Sequence, residues 1–352
     1  MIEIDGSMLE GGGQLLRMAV AYAAILGESV RVHNIRSKRS ESGLRYQHLA
    51  AVKAVAQLSS AQVQGLEIGS SEIVFTPGPI RGGRYRFDIG TAGSIGLLLQ
   101  CVAPVAAYAN RPTFLELVGG TSVPRATPVT MLKEVGWKAL YAMGFNASLV
   151  IRREGFYPRG GGLVEASIAP TEGLRPIRIS DKPEVTEVHG VSFSGKLPEH
   201  VAHRQANAAM HMLMEAGYTT VDIQCKNLDR ESPPLSPGSL IGLWTQGRSP
   251  CFIGSDSLGA RGKPAEQVGQ DAAISLLSQL RTGSSTDLHT ADNLIIWCSL
   301  AQGQSIYTTS ELTLHILTAI KLAEIMTEAH MSIQGSLGHP ALIQCEGTGL
   351  KP

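Results

Sequence analysis

The chain has few aromatic residues, 5% of the total, and no net charge, because 30 basic side chains are balanced by 30 acidic ones. A neutral chain has no global attraction for nucleic acid or a membrane surface, so any nucleic-acid site must be a local patch. The five cysteines (Cys101, Cys225, Cys251, Cys298, Cys345) are scattered, odd in number and never in a CxxC pair. This argues against a disulfide framework and against a structural zinc site. Long apolar runs are missing as well, and stretches such as 101–109 are too short to span a bilayer. The opening MIEIDGSMLEGG has no basic segment leading into an apolar one, so it does not read as a signal peptide. A reducing cytoplasm, with no membrane association, is the expected setting.

What is present is core material: 43% hydrophobic residues and 39 glycines in 352 residues. With so few aromatics, that core must be built from Ala, Val, Leu and Ile. The length suits one large domain or two ordinary ones. A pattern of helix and strand runs through the sequence three times. Helices over 13–27, 92–108 and 292–301 each lead into a strand, at 29–35, 113–118 and 305–309. Helices over 48–58, 129–143 and 314–328 each precede a strand pair: 64–68 with 72–76, 146–152 with 162–168, and 331–333 with 342–346. The helices carry apolar residues at three- and four-residue spacing and the strands alternate, which predicts three βαβαββ-like units of an α/β (α+β) protein.

Residues 185–282 differ in character. They read as strand, helix (199–216), strand (219–224), two strands (239–245, 251–255) and helix (264–280), with Pro-rich stretches around and within. Pro264 suits the first helical position, Glu266 complements the helix dipole, and Val268, Ala272, Leu276 and Leu280 share one stripe. The expected organisation is a main domain of residues 1–184 and 283–352, interrupted by a small α/β domain at 185–282.

Four motifs bear on chemistry. The first, from Asp5-Gly6-Ser7 through Glu10-Gly11-Gly12-Gly13 to Arg17, places three glycines before a helix, where free amides and the helix dipole make an anion site. Glu10 could hold a divalent metal there and Arg17 could grip phosphate bidentately; a plain glycine turn is the alternative. The second is a basic run, Arg31, Arg36, Lys38, Arg39 and Arg45, with His33, Gln47 and His48 nearby and only Glu41 opposing it. It could clamp a terminal phosphate or track a phosphate backbone, or be a solvated face. The third, Tyr157-Pro158-Arg159 and Gly160 to Gly162, lies between hairpin strands, where a wide turn is the stronger reading.

The fourth motif runs from Thr308 to Thr318. Thr308 or Ser310 is the expected helix cap, so His315 falls near the positive end of a helix. That position favours a neutral, nucleophilic imidazole able to attack phosphorus. Its neighbours Leu314, Ile316 and Leu317 make a packed core histidine the stronger reading on local sequence alone. Asp292, in the polar run 288–293, reads as a helix N-cap, and Cys298 as core.

In this order, DGSMLEGGGQLLR, Arg36 to Arg39 with Gln47-His48, Arg81-Gly82-Gly83, Thr91 to Ser94 with Gln100, Gly119 to Pro128 and Gly155 to Gly162 form an ordered set. With Leu197 to Ala202, Arg261 to Glu266 and Thr313-x-His315-x-x-Thr318, the set resembles the RNA 3′-terminal phosphate cyclase family over nearly the whole chain. The resemblance implies three repeats like the C-terminal domain of translation initiation factor 3, plus an inserted α/β domain. It implies a ligase that uses ATP and Mg²⁺ or Mn²⁺ to convert an RNA 3′-phosphate into a 2′,3′-cyclic phosphate. His315 would carry AMP, and an RNA(3′)pp(5′)A species would follow. Glu10 would contact the metal. Arg17, Arg36, Arg39, Gln47 and His48 would contact phosphate and the RNA end. Gln100, Pro128, His289, Thr290, Ala291, Asp292 and Asn293 would form the ATP pocket.

Asn293 stands where the family usually has Gln, Ser42 where Pro is frequent, Lys38 where Gly is, and Ala260 where Glu is. The expected partner is RNA ending in a 3′-phosphate, with no stable protein partner and a homodimer left open. Two rival readings are a non-catalytic, cyclase-like ribosome-assembly factor and an enolpyruvate transferase, which is also built from βαβαββ repeats.

Overall fold

Alternating apolar strands and amphipathic helices build four small sheets. The computed structural model describes residues 1–230 and 232–352. The first sheet group contains β1 (Ile2–Asp5), α1 (Gly13–Leu26), β2 (Val30–His33), α2 (Tyr46–Leu58), β3 (Gln62–Gln64) and β4 (Ile73–Thr76). The second contains β5 (Gly83–Asp88), α3 (Ile95–Ala107), β6 (Thr113–Gly119), α4 (Val129–Met131), α5 (Trp137–Ala142), β7 (Ala147–Arg153) and β8 (Gly162–Ile168). A π-helical turn, Leu132–Gly136, joins α4 to α5, so the helix expected over 129–143 runs unbroken through 129–142 with one widened turn inside it.

After β9 (Arg178–Ile179) the chain forms β10 (Val185–Gly195), α6 (His200–Glu215), β11 (Thr220–Asn227), β12 (Gly238–Gly247), β13 (Gly254–Leu258) and α7 (Ala265–Arg281). It then returns through α8 (Leu288–Leu300), β14 (Gln302–Thr309), α9 (Leu314–Met326), β15 (His330–Gly335) and β16 (Ala341–Thr348). This is the mixed α/β class expected.

Three sheets have the same strand logic: β1-β2-β4-β3, β5-β6-β8-β7 and β9-β14-β16-β15. In each, the first two strands are parallel and the others antiparallel. Parallel neighbours need a crossover. Helix α1 supplies it in the first sheet and α3 in the second. In the third, the crossover contains everything from β10 to α8. The fourth sheet, β11-β10-β12-β13, is mixed and carries α6 and α7 over its own apolar cluster, which includes Val188, Leu213, Ile241 and Leu276.

The main core lies among helices. Helix α1 packs on α2, α3 and α9, and α8 packs on α9, α3 and α5. Because α1 meets helices on several sides, every residue from Gln14 to Ala24 is buried. Small side chains allow this close approach, but aromatics contribute more than the composition implied. Phe145 packs between Trp137 and Trp297, with ring centroids 5.2 and 4.8 Å away. Cys298 is fully buried, as expected.

Local punctuation corrects several expectations. The cap of α9 is Thr313, whose hydroxyl accepts from Ile316 N–H, and neither Thr308 nor Ser310. The cap of α8 is Asp287, accepting from Thr290 N–H, so Asp292 is an interior helical residue. Pro264 precedes the first helical residue of α7 instead of occupying it. Residues 65–68, expected as strand, lie outside β3.

Candidate active site

The site is built where the starts of α1, α2 and α9 meet the first turns of α8. Helix starts present unpaired N–H groups and a positive dipole end, which together attract anions. Two glycines permit the packing. A side chain at Gly12 would meet the Glu10 carboxylate at 2.1 Å, and one at Gly13 would meet His48 Nε2 at 2.3 Å. Gly11 has φ +64, in the left-handed region that turns the chain into α1. The glycine run thus folds Glu10 back over the helix start and lets His48 close on it.

His315 is the second residue of α9, and its side chain is 53% exposed. The packed-core alternative is therefore excluded. Its Nδ1 lies 2.7 Å from Gln14 Oε1, and the Gln14 amide nitrogen donates to Asp292 Oδ1. Its Nε2 lies 3.9 Å from Glu10 Oε1. Burial lowers the His315 pKa first; Asp292 opposes this, while Arg17 and Arg39 push further down. The ring is held toward its neutral form.

Glu10 is only 10% exposed at its side chain. One carboxylate oxygen is paired with Arg39, and the other, Oε2, is buried without a partner. Its backbone N–H donates to Thr318 Oγ1 at 3.2 Å, which ties the loop to α9. Among the described residues no cluster of three His, Cys, Asp or Glu side chains is arranged to hold a metal. A cation at Glu10 would depend on that one carboxylate, together with phosphate oxygens and water.

The basic run divides. Arg31 is paired with Glu3 and Glu72 on the strand face, and Arg45 with Glu41, so neither is a free cation. Lys38 donates to the Leu9 carbonyl. Arg36 donates to the Gly43 carbonyl at 2.8 Å, bracing its loop. Gln47 accepts from Ser94 N–H at 3.3 Å, so it reaches toward the start of α3. Arg17 is buried, with a pKa lowered by burial and opposed by Cys101 and Asp292. His48 is buried too, and burial with Arg17, Arg36 and Arg45 lowers its pKa to about 3. Arg17 and His48 both border Gly13.

Two adjoining cavities flank α8. Gln100, Asp292 and Asn293 line the first with Gln14, Arg17 and Trp297; His289, Thr290 and Asn293 line the second with Asp256 and Leu132. Asn293 borders both and donates to the His289 carbonyl at 2.9 Å. Pro128, the residue preceding α4, lines neither cavity, although its neighbour Thr127 lines the second. Ala291 is displaced from the expected set: it is fully buried, and its carbonyl accepts from Tyr307 OH. Burial raises the pKa of Asp256 to about 6, and raises those of Asp287 and Asp292 as well.

The Gly160 to Gly162 hairpin does not join these groups. It packs between Ala92 and Leu235, and neighbouring Phe156 meets Phe193 in a tilted contact, ring centroids 6.3 Å apart. Its role there is to seat the fourth sheet. Gln14, Thr313 and Asp287 are the residues that motif reading passed over. The signal for Gln14 was its place in the first turn after the glycine run.

A neutral histidine with a free ring nitrogen, a buried carboxylate and arginines at converging helix starts can perform nucleophilic chemistry at phosphorus. This is the arrangement of a phosphate-handling enzyme on an α/β scaffold. The family described as RNA 3′-terminal phosphate cyclase matches residues 8–333, and the chain belongs to it. A protein of that name from Ignicoccus hospitalis is 45% identical over 350 residues, covering 99% of both chains. Others from Hyperthermus butylicus and Methanopyrus kandleri are 43% and 42% identical, the former covering 100% of this chain and 99% of its own, the latter 99% of both. Membership of this family sets aside the enolpyruvate transferase reading.

Proposed function

We propose that the chain converts an RNA 3′-terminal phosphate into a 2′,3′-cyclic phosphate at the expense of ATP. The observation that carries this reading is His315 at the start of α9, half exposed, with Nδ1 hydrogen-bonded and Nε2 unblocked beside Glu10. In the first step Nε2 attacks the α-phosphorus of ATP. The N–P bond forms, the bond to the bridging oxygen breaks, and pyrophosphate leaves. Next, an oxygen of the RNA 3′-phosphate attacks the same phosphorus, regenerating His315 and giving RNA(3′)pp(5′)A. The neighbouring 2′-OH then attacks the 3′-phosphorus, loses its proton, and expels AMP. The energetic logic is that a ribose 3′-phosphate has no leaving group until AMP supplies one.

Each residue has a role in this scheme. Gln100, Pro128, His289, Thr290, Asp292 and Asn293 hold the nucleotide along α8. Arg17 and His48 hold phosphate at Gly13, and Arg36 and Gln47 brace the loops around them. The unpartnered oxygen of Glu10 suits Mg²⁺ or Mn²⁺, whose bound charge would neutralise the triphosphate. Arg39 occupies Glu10 without it and is released to the RNA phosphate when Glu10 is taken. We read the three sheets of like strand order as repeats of one βαβαββ unit, and 185–282 as an inserted α/β domain. Five free cysteines suit a reducing cytoplasm. Among the described residues no helix is long and apolar enough to cross a membrane.

Incubation with α-labelled ATP and Mg²⁺ tests the reading. An acid-labile, alkali-stable label on the protein is expected, absent from His315→Ala. A label that persists in that variant overturns the nucleophile assignment. A wild type that takes no label, even with 3′-phosphorylated RNA present, favours a non-catalytic assembly factor.

A further inference from the structure

The ring nitrogen available for attack is decided one residue away from the ring. Burial raises the Asp292 pKa, while the Gln14 hydrogen bond and Arg17 favour its ionised form, which can only accept hydrogen bonds. The Gln14 amide must therefore turn its NH₂ to Asp292, which is the contact observed. Its carbonyl oxygen then faces His315 Nδ1 at 2.7 Å. That oxygen can only accept, so the proton of the neutral ring must sit on Nδ1. Nε2 is left with its lone pair, directed toward Glu10 at 3.9 Å. In water a neutral imidazole favours the opposite arrangement, with the proton on Nε2, so the protein must select the less common tautomer.

We infer that Gln14 is a positioning residue that fixes His315 in the Nδ1–H tautomer, and that Asp292 sets the polarity of Gln14. This deepens the reading of His315 as the adenylyl carrier and rests on it for its catalytic consequence. Gln14 is suited to the task because it is buried in the first turn of α1, behind the glycine run, where helix packing restricts its rotation. Asp292 thereby acts beyond the nucleotide pocket to which it was assigned.

The test separates tautomer from activity. In nucleotide-free protein labelled with ¹⁵N-histidine, the His315 signals are those missing from His315→Gln. Wild type should show a protonated Nδ1 and a bare Nε2. Gln14→Leu should shift the ring toward Nε2–H, and lower the single-turnover rate of adenylylation by about ten- to a hundredfold with ATP affinity changed less than about threefold. Asp292→Asn frees the Gln14 amide to flip and should give a mixture.

The paired exchange Gln14→Glu with Asp292→Asn reverses the amide–carboxylate contact but restores an acceptor at Nδ1. It should recover the Nδ1–H form, and the remaining histidine signals report whether the fold is intact. The inference is overturned if Gln14→Leu keeps the wild-type tautomer, or if the paired exchange fails to recover it in a folded protein. If no variant or wild type is adenylylated, the adenylyl-carrier reading falls, while the tautomer measurement still decides the role of Gln14.

Discussion

Two helix starts at the site each carry a histidine held toward neutrality, and they present opposite faces of the imidazole. At the start of α2, His48 Nδ1 accepts from Arg45 N–H at 3.2 Å, so Nε2 carries the hydrogen toward Gly13 and Arg17. At the start of α9, the tautomer inferred for His315 has Nδ1 donating to Gln14 Oε1, 2.7 Å away, and leaves Nε2 bare. Burial and nearby arginines lower both pKa values. Burial and the neighbouring arginines therefore set the charge of the ring, while a single hydrogen bond at Nδ1 sets whether it donates or attacks. One histidine is suited to bind phosphate oxygen and the other to attack phosphorus.

The sharpest way to break this comparison is to delete each ring. His315→Ala should lower adenylylation by at least about a thousandfold, because no second nucleophile replaces it. His48→Ala should still accept AMP from ATP but lose transfer to 3′-phosphorylated RNA by about ten- to a hundredfold. Labelled protein measured with and without RNA separates the two. If His48→Ala abolishes the first step and spares the second, the two roles are reversed.

The next effect concerns the carboxylate beside His315. Glu10→Gln should raise the Mn²⁺ concentration needed for half-maximal labelling by about tenfold or more, since a neutral amide is a poor ligand for a hard cation. Arg39→Ala should lower that concentration, because the competing guanidinium is gone. Direct Mn²⁺ titration by electron paramagnetic resonance checks both changes without relying on turnover. Equal metal affinity in wild type and Glu10→Gln would remove Glu10 from the metal site.

Much of this site was legible in the sequence, because it is assembled from helix starts and those carry local signals. The glycine run before α1 predicted a close backbone approach, and it is required for Glu10 and His48. His315 was found as a helix-start residue even though its cap was assigned to the wrong residue. A hydroxyl immediately before the helix, Thr313, outcompeted the earlier Thr308 and Ser310, which remain in or beside β14. What could not be read was pairing across hundreds of residues. Arg31 looked like part of a phosphate clamp, yet strand register places it between Glu3 and Glu72. Asp292 looked like a cap, yet its contact is Gln14, 278 residues away in sequence. The π-turn at 132–136 has no local signature either; its Leu132 and Gly136 border both cavities, and the fourth sheet approaches it through Gly254 against Val135.

The smallest effect is on stability, and acid should reveal it. His48 is buried with its pKa lowered to about 3, against an ordinary value of 6.5. Between those values the unfolded chain binds a proton at His48 and the folded chain does not. Stability therefore falls as pH drops below 6.5, by at most about 1.4 kcal/mol per unit, and this contribution is fully present above 6.5. His48→Gln keeps a hydrogen-bonding side chain but cannot titrate. Its urea unfolding free energy should fall less than that of wild type between pH 7 and pH 5, by up to about 2 kcal/mol. His315 is half exposed, so its replacement should change the pH profile of stability less than that of His48. If His48→Gln and wild type lose stability in parallel as the pH falls, the ring of His48 is not held neutral by burial. The contrast between the two histidines would then rest on hydrogen bonding alone.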